Sequence, residues 1–74
     1  MKNKKIKEQI NENLKIARKN KGYTQEQMSK IIFNSNQSLY GRYERGENEF
    51  NYEQIIKICQ VLEIEPNEIF EGCI

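Results

Sequence analysis

Apolar residues recur at helical spacing along most of the chain. Ile6, Ile10, Leu14 and Ala17 fall at i, i+4, i+8 and i+11, one face of a first helix over about residues 6–20. Lys21-Gly22 ends it, the glycine acting as a C-terminal stop. Thr24-Gln25-Glu26-Gln27 opens a second helix. The Thr24 hydroxyl can accept from the Gln27 amide, and Gln27 at N3 can reach back to the Thr24 N–H, a capping box. Tyr23 and Met28 are placed for a hydrophobic staple around it, and Met28, Ile31 and Ile32 form the buried face. Residues 33–36 (Phe33, Asn34, Ser35, Asn36) have the short polar character of a turn.

A third helix is expected from Gln37 to Arg45, with Asn36 or Ser35 as its cap and Gly46 as its stop. Tyr40 and Tyr43 are its inward residues. Asn51 caps a fourth helix, with Gln54 at N3 as a second capping box and Phe50 and Ile55 at the staple positions. Its core stripe is Ile55, Ile58, Cys59 and Leu62. Glu65-Pro66 begins a short fifth helix, proline sitting at N1 where its missing N–H costs nothing. Ile69 and Phe70 are expected to fold back on the core, and Gly72 ends the helix. No repeat, low-complexity tract or β-alternation competes. The pattern therefore predicts an all-α fold, a compact five-helix bundle in one domain over residues 1–74, with 1–5 as a flexible basic tail.

Composition narrows this reading. At 74 residues the chain can build one small core. With 36% hydrophobic and 31% charged residues it reads as a soluble globular protein rather than a disordered one. No apolar run approaches a membrane span, and the basic start lacks the apolar stretch of a secretory signal. Cys59 and Cys73 are the only cysteines and histidine is absent. Two thiols without an imidazole do not make a metal site, and they are too few for a disulfide scaffold. Both are expected as reduced thiols in a cytoplasmic protein, Cys59 as a core residue. With no histidine, metal cluster, glycine-rich phosphate loop or nucleophile–base pair, neither an enzyme, a cofactor nor a small-molecule substrate is expected.

The net charge of +1 hides a bipolar chain. Residues 1–45 hold eleven Lys and Arg against four Glu, which makes +7, and residues 46–74 hold Lys57 against seven Glu, −6. A basic N-terminal part can meet a phosphate backbone while the acidic part faces away. The third helix carries the candidate chemistry. Gln37, Ser38 and Arg42 make one polar face, with Gly41 and Arg45 beside them. Glutamine can pair bidentately with adenine and arginine with guanine in the major groove.

Two stretches carry a resemblance. One is Ala17-Arg18-Lys19-Asn20-Lys21-Gly22-Tyr23-Thr24-Gln25-Glu26-Gln27-Met28. The other is Gln37-Ser38-Leu39-Tyr40-Gly41-Arg42-Tyr43-Glu44-Arg45-Gly46-Glu47. Together with residues 52–70 they resemble the phage-repressor and Cro-type helix-turn-helix family of bacterial regulators, over about residues 10–70. The resemblance implies a lambda-repressor-like bundle whose second and third helices form the helix-turn-helix. It implies a transcriptional regulator, a repressor by preference, with the third helix, about Asn36 to Arg45, in the major groove of double-stranded DNA. It further implies a homodimer on a pseudo-palindromic operator with half-sites roughly 34 Å apart. By the same resemblance Gln25 matches a phosphate-contacting position. Gln37, Ser38 and Arg42 match base-facing positions, and Glu44 matches a structural glutamate paired with the residue matched by Arg18. Asn36 and Asn48 complete the expected DNA-contact set.

The chain also departs from the family pattern. The turn before the third helix is one residue longer, with Phe33-Asn34-Ser35 where a small glycine is common. Gly41 stands where serine is usual, and a glycine inside the helix is expected to loosen it. Glu47-Asn48-Glu49 replaces basic residues that often grip phosphate. The acidic 46–74 segment favours an alternative, a protein-interaction module of the same fold that has lost DNA binding; an antitoxin-like partner-binding repressor is a further alternative.

Overall fold

In the computed structural model residues 2–72 are described, with side chains from Ile6 onward. The first helix, α1, runs Lys2–Lys21. It starts four residues before the expected position, and so takes in most of the segment read as a tail. Arg18, Lys19 and Lys21 sit in its last turn, where cations oppose the negative end of the helix dipole. Gly22, at φ +83°, then closes it in a Schellman motif. The Gly22 N–H donates to Lys19 O (3.0 Å) and the Tyr23 N–H to Arg18 O (3.1 Å).

The second helix, α2, is Gln25–Phe33, and the expected Thr24–Gln27 capping box is present in both directions. Asn34 ends it in the left-handed region at φ 53°, its N–H bonded to Lys30 O. Asparagine tolerates this conformation better than most residues, so it does the work of the glycine expected in that turn. Phe33 belongs to α2 and not to a polar turn: its ring stacks on Tyr43 at 4.6 Å.

The third helix, α3, covers only Leu39–Glu44. Its N-cap is Ser38, without a side-chain cap bond, rather than Asn36. The Ser35 hydroxyl instead accepts from the Gln37 N–H at 3.1 Å, and the Leu39 N–H reaches Gln37 O at 2.7 Å. This tight turn delays the helix by two residues. The fourth helix, α4, is Tyr52–Leu62, with the Asn51–Gln54 capping box as expected.

The fifth element is a 3-10 helix, Pro66–Phe70, so the five-helix expectation is corrected to four α-helices and a 3-10 turn. At five residues it has little room for an α ladder, and its tight i→i+3 geometry suits a short connector. Ile69 is fully inside, but Phe70 is half exposed and does not fold back on the core as expected. Asn13 ties this element to α1 by donating to Ile69 O and Glu71 O, both at 2.8 Å. Cys73 and Ile74 lie outside the described residues.

The core is Leu14, Met28, Ile32, Tyr40, Ile58, Cys59, Leu62 and Ile69. Ile31, Ile55 and Ala17 are only partly buried beside it. Burial, then Glu68 and Glu65, raises the Cys59 thiol above its ordinary pKa, which keeps it protonated. Tyr43, read as inward, is half-buried between the rings of Phe33 and Phe50, the latter at 4.9 Å.

Candidate nucleic-acid interface

The α2–α3 pair is the most extensively packed pair of elements in the bundle. Its rear is held by polar contacts that are themselves buried. Ser29, fully buried on α2, accepts from the Tyr40 N–H at 2.6 Å. Tyr40 is the second residue of α3, so Ser29 satisfies one of the first amides of that helix, which have no partner within it. The cap missing from the local sequence is therefore supplied by the neighbouring helix.

Arg18 of α1 fixes the other end. Its Nε and Nη2 donate to the two carboxylate oxygens of Glu44 at 2.9 and 3.1 Å, and its Nη1 donates to Tyr23 O at 2.7 Å. The side chains are 8% and 3% exposed. The expected pairing of Arg18 with Glu44 is thus present, as a planar fork-to-carboxylate bridge. Beside it the Tyr40 hydroxyl is buried with no hydrogen-bond partner among the described residues. Burial, then Glu44, raises its pKa well above the ordinary tyrosine range, and Arg18 opposes the shift only partly.

The front of the pair is polar and open. Asn36, Gln37, Ser38 and Arg42 are all exposed, and Gln25 is half-buried at the first position of α2. Asn36, Gln37 and Ser38 stand on the turn leading into α3, not on the helix itself. Arg42 alone of the expected base-facing residues projects from α3 proper. Asn48 is exposed beyond the helix, where the Glu47 and Asn48 N–H groups both reach Arg42 O.

Charge at this edge is tempered. Arg45 donates through Nε to Glu47 at 2.8 Å, with both side chains more than half exposed. Lys7 pairs with Glu49, and Lys21 with Glu63 at 3.0 Å. The last two bridges link α1 to residues of the acidic 46–74 segment. Ser29, Asn13 and the seating of Gln25 against Gly41 escape a reading of the sequence. For Ser29 the available signal is its place at i+4 from Gln25 and i−3 from Ile32, a small polar residue on the inward side of α2.

Two consecutive helices, joined by a short turn, braced from behind and polar in front, define the helix-turn-helix class. A family model described as Helix-turn-helix matches residues 14–69. The chain belongs to this family, the Cro/C1-type helix-turn-helix, whose members are DNA-binding regulators and not enzymes. No curated protein and no solved structure matches the chain. Among the described residues no helix is long and apolar enough to cross a membrane.

Proposed function

We propose that the chain is a sequence-specific transcriptional repressor that binds double-stranded DNA in the cytoplasm. It acts as a homodimer on a pseudo-palindromic operator. The turn residues Asn36, Gln37 and Ser38, together with Arg42, face the base edges of the major groove. Gln25 and Asn48 hold the backbone on either side. The observation that carries this reading is the contrast within one helix pair. The exposed edge offers neutral amides, a hydroxyl and one arginine, while the opposite side is locked by Ser29–Tyr40 and Arg18–Glu44. A rigid polar edge suits base readout, which requires donors held in register.

Selection from a random duplex pool at low salt tests it. Enrichment of a two-fold symmetric site is expected, with affinity falling linearly in log–log against salt. Arg42→Ala should cost about 1–3 kcal/mol and relax preference at one base pair. Failure to enrich any sequence contradicts the reading. The interaction-module alternative draws on Glu47 and Glu49, which place negative charge beside the interface. It predicts a folded protein that leaves duplexes unbound at low salt.

A further inference from the structure

We propose that Gly41 is a positioning residue that seats Gln25 and Arg45 together as a grip for one DNA phosphodiester. A Cβ built at Gly41 would lie 3.0 Å from Gln25 Oε1, 3.4 Å from Gln25 Cδ and 3.3 Å from Arg45 Nη1. The first side chain of α2 and the side chain just past α3 therefore converge over bare α3 backbone. The Gln25 side-chain amide makes no hydrogen bond among the described residues. Glu47 occupies Nε of Arg45 and leaves Nη1 turned toward Gly41. With the Gln25 Oε1 turned toward Gly41, each side chain still carries N–H donors for the oxygens of a phosphate, a neutral amide NH2 and a charged guanidinium. A methyl group at position 41 would displace the flexible end of Gln25 rather than backbone, so the pair loses its seat while the fold survives.

This inference rests on the DNA-binding reading, and the test separates the two. Affinity for a random-sequence duplex at low salt is measured by fluorescence anisotropy for the wild type, Gln25→Ala, Arg45→Gln, Gly41→Ala and the Gln25→Ala/Gly41→Ala double variant, with melting curves for each. Gln25→Ala and Arg45→Gln should each weaken binding about tenfold on every sequence alike, the value of a hydrogen bond to a charged group. Arg45→Gln should also lower the log–log salt slope by about one. Gly41→Ala should weaken binding roughly three- to tenfold without lowering the melting temperature, since alanine favours the helix. In the Gln25→Ala background it should add nothing.

Equal binding by Gly41→Ala, or an undiminished loss in the Gln25→Ala background, overturns the positioning role. If Gly41→Ala does not fold, unchanged affinity in both Gln25→Ala and Arg45→Gln overturns the grip. A folded wild type that binds no duplex overturns the DNA reading and the grip with it.

Discussion

α2 and α4 start in the same way, and α3 starts differently. Thr24 with Gln27 and Asn51 with Gln54 form complete capping boxes within four residues of chain. α3 has no such box; its Tyr40 amide is taken by Ser29, eleven residues earlier on another helix. Its far end is held by Arg18, twenty-six residues before Glu44. A six-residue helix is far too short to persist alone in water, where even segments of about 12–15 residues are marginal. The two outer helices carry their own start signals. The helix that presents the polar edge depends on its neighbours for both ends.

The largest effect should come from the far end of α3. Glu44→Ala leaves Arg18 buried without its carboxylate, and breaking such a pair costs about 3–5 kcal/mol. In a domain of marginal stability that leaves much of the protein unfolded at 37 °C, measurable by urea titration. A loss below about 1 kcal/mol would mean that the bridge is incidental. Next is Ser29→Ala, which strands a buried amide and should cost about 1–3 kcal/mol.

The local caps sharpen the contrast. Thr24→Ala and Asn51→Ala should each cost about 1 kcal/mol, and similar amounts, because the same box is lost at each site. A much larger loss at Thr24 than at Asn51 would show that the α2 cap also supports α3.

The smallest effect at neutral pH is expected from Tyr40→Phe. The hydroxyl it removes is buried and unpaired, so stability should change by less than about 1 kcal/mol. The folded protein holds the Tyr40 proton to higher pH than the unfolded chain does. That contribution is fully present below the ordinary tyrosine pKa of about 10 and is lost as pH rises beyond it. Wild-type stability should therefore fall in alkali more steeply than that of Tyr40→Phe. Parallel curves would remove Tyr40 from the account.

The same contrast explains what the sequence could tell. Helix starts fixed by contacts three residues apart, at Thr24 and Asn51, are legible from residue types alone. The Arg18–Glu44 pair was legible only through family resemblance, because nothing local links the two positions. The residue types before α3 point to a cap at Asn36 or Ser35, while the structure has it at Ser38, because the contact that satisfies the helix start is tertiary and no propensity rule reaches across helices. The 3-10 turn and the exposure of Phe70 are hidden from local pattern for a related reason. Apolar spacing marks Ile69 and Phe70 alike, while the Asn13 bonds that hold Ile69 O and Glu71 O against α1 leave no local trace. The candidate contact residues follow from the register of the family resemblance, and three of the six stand on the turn before α3.

Native-state hydrogen exchange of Ser29→Ala compared with wild type addresses the borrowed start of α3 most directly. Protection should fall first and furthest at Tyr40 and the α3 amides, by roughly five- to 150-fold for a loss of about 1–3 kcal/mol, while the α4 amides drop no further than global stability requires. Retained protection at Tyr40, or a fall larger at the α4 amides than at the α3 amides, would contradict it.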